Sequence, residues 1–578
     1  GLDLAVLYNM EQEPSDNVMN YSQASYYTRN LINRFTQIKG NERKYIIPLG
    51  AIKNTANNKM SGYNLRGQVN YQRLFGQSHE INIFGGAELS DRKIENSGFG
   101  VYGYNEDLML SQSVDYINPY PIFDGLSPDS RIANMEGFNR SVSRSISTYL
   151  NMGYMFKNKY QVSFSARKDA ANIFGVNTND KWNPLWSIGS SWQLHREKFF
   201  NNMQFLNLLK LRATYGHSGN SGGVASHLPL IFYTNNSLSQ NNLPKASIGT
   251  PANPNLKWED VRTINIGLDF SLWRNRLSGS IEYYDKKSTD LLALDPIDIT
   301  SGYRTVTRNV AQLKGRGLDI RLNAKYAIRE VNFSSTLNFS KSRTKVKKFY
   351  GTVVRGSNYA ENSGRSISPI LDKELYPVFA YKFTGLDSET GDPLGIFQGG
   401  ISKDYNKLIV DSIQHLRYFG TALPPYYGSL IQEISWRNFS FSFLISYKFG
   451  HYYQKSTIQY GRLFNNWIGH NDYERRWQEK GDENSTTVPS MVYPAITNRD
   501  RFYAASDANI IKGDLIRLQD ISLSYSFKIP MLNNVTGQVF FKVNNLGLIW
   551  KANKYGVDTD YYGTPLSRRY ALGINLSL

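Results

Sequence analysis

The chain has 578 residues, no cysteine and 14% aromatic residues, among them 40 tyrosines, 30 phenylalanines and 9 tryptophans. Without cysteine there is no disulfide framework, thiolate zinc site, iron–sulfur cluster or cysteine nucleophile. The 66 Lys and Arg against 48 Asp and Glu leave a net charge of +18. That charge is dilute and lacks a run of five basic residues, so a solvated surface or loops facing anionic head groups accounts for it, and no nucleic-acid partner is expected.

No stretch approaches 18 consecutive apolar residues and mean hydropathy is −0.45. A transmembrane helix is therefore not expected, whereas a membrane β-barrel, with one apolar face per strand and long polar loops, stays compatible with these values. The start, Gly1-Leu2-Asp3, carries neither an initiator Met nor a signal pattern, so the chain is expected to be processed or to begin within a longer protein.

In chain order, period-two alternation predicts sixteen strands: 1–12, 61–75, 79–91, 144–156, 160–169, 184–195, 208–217, 258–273, 277–289, 314–327, 331–344, 428–436, 439–450, 514–527, 535–544 and 566–578. Ile264, Ile266, Leu268, Phe270 and Leu272 form one apolar face, and Phe439, Phe441, Phe443, Ile445, Tyr447 and Phe449 another. Such faces are long enough to cross an apolar band about 25 Å tall, which takes about ten tilted residues. The connections sort by length. Tight ones at 76–78, 157–159, 274–276, 328–330 and 437–438 alternate with long ones such as 13–60, 92–143, 218–257, 345–427 and 451–513. Short turns on one side and long loops on the other are the pattern of an outer-membrane barrel. The expected fold is all-β: a transmembrane antiparallel β-barrel with short periplasmic turns and long extracellular loops.

Three tight turns read aromatic, basic, Asn: Phe156-Lys157-Asn158, Trp273-Arg274-Asn275 and Trp436-Arg437-Asn438. Asn accepts the positive φ of a tight hairpin. Phe156, Trp273 and Trp436 are expected at the membrane–water interface, with the basic residue reaching head groups. Ordinary hairpin chemistry is the plainer alternative. At the end of the chain Tyr570, Leu572, Ile574, Leu576 and Leu578 alternate with polar or small residues, as in a barrel-closing strand, and parity with the tight turns places the C-terminus in the periplasm.

Six segments then resemble the SusC/RagA-type TonB-dependent transporters of Bacteroidota outer membranes: Ser25 to Phe35, Leu209 to Gly216, Asn253-Pro254-Asn255-Leu256-Lys257-Trp258-Glu259, Ile264 to Leu292, Gly385 to Pro393 and Leu515 to Tyr525. The resemblance covers essentially the whole chain. It implies that these residues are the C-terminal part of a barrel of about 22 strands, with the plug domain, the TonB box and about six strands having no counterpart here. It also implies TonB-driven import of oligosaccharides or oligopeptides through the bacterial outer membrane, under a SusD-like surface lipoprotein. A different class of function, a non-transporting barrel serving as a docking platform, fits the same barrel.

Enzymatic and cofactor motifs are weak. Gly98-Phe99-Gly100-Val101-Tyr102-Gly103 fits GxGxxG but is read as an aromatic loop with no helix following, so no dinucleotide is expected. Gly219-Asn220-Ser221-Gly222-Gly223 fits GxSxG near His217 and His227. It lacks the strand-to-helix context of a nucleophile elbow, which leaves a Gly-rich outer loop as the reading and a Ser221 hydrolase as the alternative. Asp387, Glu389 and Asp392 are read as a solvated turn rather than a Ca²⁺ loop. The seven histidines show no zinc spacing. No catalytic, cofactor or metal residue is therefore assigned. The loop tyrosines Tyr102, Tyr104, Tyr116, Tyr120, Tyr426, Tyr427, Tyr452 and Tyr453 suit sugar or peptide contacts, but are expected to pack the loops.

Overall fold

The computed structural model describes every residue except 124, 126–127, 173–181, 221–227, 235–244, 350–354, 529–535, 562, 564 and 578. Its main sheet contains sixteen long strands: β1 (Leu2–Tyr21), β2 (Ala51–Phe75), β3 (His79–Asn105), β4 (Gly137–Phe156), β5 (Tyr160–Ala171), β6 (Trp182–Gln193), β7 (Leu206–Asn220), β8 (Glu259–Leu272), β9 (Leu277–Pro296), β10 (Thr305–Ile328), β11 (Val331–Lys348), β12 (Tyr426–Trp436), β13 (Phe439–Phe449), β14 (Leu515–Lys528), β15 (Thr536–Lys551) and β16 (Arg569–Ser577). A seventeenth, Leu110–Gln112, pairs only with the end of β3. Each long strand runs antiparallel to its neighbour in sequence. Among the described residues β1 registers only with β2, and β16 only with β15.

All sixteen predicted strands are present, and the differences lie at their outer ends. β2 has 25 residues and β3 has 27, where about ten would cross the apolar band. The excess projects on the long-loop side, so residues 92–105, expected as loop, are strand. The GxGxxG stretch therefore lies within β3, and the next element is the short strand Leu110–Gln112 rather than a helix.

Registers show why the alternation was so legible. Directly opposed residues share a face, and Leu211, Leu268, Ile281, Ile320 and Phe339 form one apolar row across β7 to β11. Ile266, in the same file, is 51% exposed to solvent in the isolated chain. An apolar file left open on strand after strand would be an aggregation surface in water and is the natural wall of a barrel in hydrocarbon. On the opposite face Tyr284 folds its ring over Gly317, and on the apolar face Tyr447, in the row of Phe339, folds over Gly428. A Cβ at either glycine would come within 2.2 or 2.4 Å of the tyrosine ring or hydroxyl, so the flat wall there requires glycine.

The tight-turn rim is aromatic. Phe75, His79, Phe156, Tyr160 and Trp192 stand opposite one another across β2 to β6, with Phe156 and Tyr160 stacked at 6.4 Å and Tyr160 and Trp192 at 6.1 Å. A second run joins Tyr326 to Phe333 at 4.9 Å, and Trp436 through Phe439 to Tyr525 at 6.3 and 4.8 Å. The positive φ of these turns falls on the basic residue as well as on Asn: Lys157 has φ 52° and Asn158 53°, Arg274 55° and Asn275 66°, and Arg437 51°. Two of the basic side chains lie back over their own aromatic ring, Lys157 at 5.0 Å from Phe156 and Arg437 at 5.4 Å from Trp436. Arg437 also pairs with Glu330 at 2.9 Å.

The buried cores are outside the wall. Connections 345–427 and 451–513 fold together into an outer assembly of short sheets and helices around Phe379, Tyr381, Tyr405, Leu408 and Phe502. Phe502 is 0% exposed and lies 5.5 Å from the Tyr381 ring and 5.9 Å from that of Tyr405. A second cluster joins the helix Tyr26–Phe35 to the connection after β3 through Ile32, Phe35, Ile47, Tyr102, Ile122 and Ile132. Ser25 caps that helix by accepting from the Thr28 backbone N–H.

Candidate functional site

The polar face of the wall is the inner one. Positions that alternate with the apolar file bring Arg212 into a bidentate pair with Asp269 (3.0 and 3.1 Å) and a further contact with Glu282 at 2.5 Å, while Asn265 donates to Glu282 at 3.2 Å. Three strands are cross-linked by one guanidinium, a geometry that suits the planar fork of arginine and not lysine. Farther round, a cavity of about 650 Å³ is lined by Arg66, Gln68, Phe84, Tyr149, Arg167 and Thr214. Its charges are internally matched: Arg66 pairs with Glu88 at 2.8 Å and Arg167 with Asp169 at 2.7 Å. Tyr149 donates its hydroxyl to Gln68 at 2.8 Å and meets Phe84 edge-on at 6.5 Å. This wall offers amides, hydroxyls and one aromatic pair to a solute, and a polar inner surface is what water-filled transport requires.

The sequence motifs resolve individually. Ser221 and His227 lie outside the described residues. His217 sits on the outer face, with Nδ1 at 2.9 Å from Asp260, Nε2 at 3.2 Å from the Tyr215 hydroxyl and its ring stacked on Trp186 at 5.4 Å. The three acids of the 387–392 turn each engage a different cation: Asp387 with Lys403 at 2.9 Å, Glu389 with Lys480 at 2.5 Å and Asp392 with Arg499 at 2.7 Å. Lys403 and the backbone N–H groups of Glu389 and Thr390 hold the Asp387 carboxyl well below its ordinary value. Among the described residues no three His, Asp or Glu side chains converge as metal ligands.

The loop tyrosines are mainly packing groups. Tyr102 is buried and donates to the Ala133 carbonyl at 2.8 Å, with Tyr116 and Tyr120 around the same cluster. Tyr104 receives Lys53 at 3.0 Å. Tyr452 lies 5.6 Å from Phe419, and Tyr453 is buried. Tyr426 and Tyr427 stay half-exposed at the outer end of β12. Sequence reasoning missed the outer assembly and its buried ionic centre. There Arg499, 2% exposed, donates to Asp392 and to the backbone carbonyl and hydroxyl of Ser490, both at 3.0 Å. Nearby, burial alone would raise the Asp472 carboxyl, but Lys455, Thr457, His470 and Arg475 together bring it below its ordinary value. No local periodicity announces such a centre, because its partners lie about a hundred residues apart.

A curved antiparallel wall with an apolar outside, a polar inside, turns at one rim and folded loops at the other is a membrane-spanning β-barrel. The chain belongs to the family described as TonB dependent receptor-like, beta-barrel, which matches residues 7–546. Among curated proteins it is 26% identical over 547 residues to TonB-dependent receptor P26 of Formosa agariphila, covering 90% of this chain and 52% of that protein. It is also 26% identical over 463 residues to TonB-dependent receptor SusC of Bacteroides thetaiotaomicron, covering 75% of this chain and 43% of SusC. It thus spans about half the length of these relatives. Among solved structures, the RagAB peptide importer in its closed-closed state superposes with a TM-score of 0.75 at 20% identity, over 100% of this chain and 60% of the other. The family is one of receptors rather than an enzyme class, and its barrels lie in the outer membrane, crossed by strands; no helix among the described residues is long and apolar enough to cross.

Proposed function

We propose that the chain is the C-terminal part of the barrel of a SusC/RagA-type transporter, in a longer polypeptide that also carries a plug and a TonB box. In this reading it imports oligosaccharides or oligopeptides, driven by TonB, beneath a SusD-like surface lipoprotein. The observation that carries the reading is the matched polar inner wall lying below a folded outer assembly: a lumen for a hydrophilic solute, with a structured rim on which a lid can close. Among the described residues the far edges of β1 and β16 register with no partner, which supports further strands between them, and the RagAB peptide importer is the relative that suggests the peptide class. Phe156, Trp273 and Trp436 stand at the periplasmic head-group level, supported by the stacked aromatic rim and by the 47% exposure of Trp436. With the tight turns periplasmic, β16 carries the C-terminus to the same side, although Leu578 itself lies outside the described residues.

Uptake by cells expressing or lacking the full-length protein tests this. Labelled oligosaccharides and oligopeptides are expected to enter only with the protein present, and entry should stop when a protonophore collapses the inner-membrane gradient. A surface lipoprotein should copurify. Protein that reaches the outer membrane and holds its partners, yet supports no entry of either class, would establish the docking-platform alternative in place of import.

A further inference from the structure

We propose that the outer face of β8 to β11 binds the phosphate groups of a lipid in the outer leaflet, with the acyl chains lying on the apolar file below. The residues that carry this are a ladder of like charges. Arg262 stands opposite Lys287, Lys287 opposite Lys314, and Lys314 opposite Lys345, on four adjacent strands without a register break between them. His217 continues the row on β7, opposite Arg262. Like charges directly opposed across a sheet repel one another, so four in succession are an unusual arrangement to hold without a counter-ion.

The protein's own counter-ions cover only part of it. Asp285 is shared by Arg316 at 2.8 Å, Arg262 at 3.4 Å and Lys314 at 3.7 Å. Asp372 pairs with Lys347, Glu374 with Arg343, and Asp260 with His217. Among the described residues Lys287 and Lys345 have no carboxylate at ion-pair distance, and the Arg262 Nε is buried without a hydrogen-bond partner.

Position selects the ligand. Arg262 shares a face with Ile264, Ile266, Leu268 and Phe270 and lies about ten residues above Leu272 at the tight-turn end, which is about the height of the apolar band. The row thus sits where hydrocarbon gives way to outer-leaflet head groups. On β12 the last registered outer residue is Tyr426, opposite Lys341 and four residues inward of Lys345, so among the described residues the basic row ends at β11 and belongs to one sector of the wall. A phosphate there meets several cations at once, while Ile266, Ile281, Tyr283 and Leu318 offer its acyl chains a surface. Free phosphate would gain the charges and not the chains.

Native mass spectrometry of the full-length protein in detergent tests this, with monophosphorylated lipid A as probe and phosphatidylcholine as the uncharged-balance control. The wild type should retain lipid A, not phosphatidylcholine, and millimolar inorganic phosphate should fail to displace it. Lys287→Gln with Lys345→Gln should weaken retention by about thirtyfold, each cation near a lipid surface contributing about a factor of five. Because the double variant relieves repulsion, its lipid-free heat stability in detergent should equal or exceed that of the wild type, and added lipid A should stabilise only the wild type. Equal retention by the double variant, equal retention of phosphatidylcholine, displacement by inorganic phosphate, or the absence of any lipid adduct would each overturn the proposal.

Discussion

The wall and the outer assembly solve opposite problems with the same chain. In the wall, apolar side chains such as Ile266 and Leu523 stand exposed on the outer face, so their solvent has to be lipid. In the outer assembly Phe502, Tyr381 and Leu408 are enclosed by protein, and the charges, Arg499 foremost, are enclosed with them. The wall is organised by period two along each strand. The assembly is organised by contacts between distant short pieces, as any water-facing domain is. The difference teaches that one polypeptide carries two kinds of core, one completed by the membrane and one completed by itself.

Perturbations should therefore separate the two regions. The largest effect is expected from Arg499→Ala, which leaves Asp392 without its partner and should destabilise the assembly by about 3–5 kcal/mol, the usual result of breaking a buried pair. Hydrogen exchange should then lose protection in 357–421 and 460–509 and keep it in β12 and β13; equal loss in the strands would mean the two regions are not separate. Next, Phe443→Arg places a charge on the lipid face and should cost about 2–4 kcal/mol near mid-bilayer, measured by refolding into vesicles, with the assembly's exchange unaffected. Tolerance of that change would count against the lipid-facing wall.

A smaller effect should come from acid. Burial lowers the pKa of His451, whose Nδ1 lies 3.8 Å from Asp514 but makes no hydrogen bond among the described residues. The unfolded imidazole takes up a proton near its free value of about 6.5 while the folded one resists. The unfolded state thus binds more protons, and this contribution to stability is present above that pH and is lost as pH falls toward the depressed folded value. The thermal stability of the assembly should fall as pH drops from about 7 to 5, and His451→Gln should flatten that slope. The smallest effect, within about 0.5 kcal/mol, is expected for Lys157→Ala at the tight-turn rim, as read by heat-modified mobility.

This contrast also explains what the sequence disclosed. Every wall strand was legible because each has one face in hydrocarbon and one in a polar lumen, which writes alternation into Ile264 to Leu272 or Phe439 to Phe449. Where β2 and β3 rise beyond the membrane both faces are wet, so Asn54 to Asn58 and Glu95 to Gly98 show no period and resemble loop in sequence. The aromatic rim was visible at Phe156, Trp273 and Trp436 because those residues sit beside turn signals. Tyr160, Trp192, Phe333 and Tyr525 join it only through register. The assembly's core was hidden, since strands such as Pro377–Ala380 or Pro393–Phe397 are too short to carry a pattern.

The two halves of that assembly are separated in the chain by the hairpin of β12 and β13, and their joining contacts reach far: Arg499 meets Asp392 and Arg501 meets Glu361. Wall strands can add one after another, each zipping onto its predecessor. The bond between Arg499 and Asp392 has to wait until the intervening hairpin has formed and returned both partners to the long-loop rim. A hairpin that stalls at the tight-turn rim would strand one half there, so the closed assembly is a certificate that this hairpin has been completed, displayed at the rim where the long loops gather.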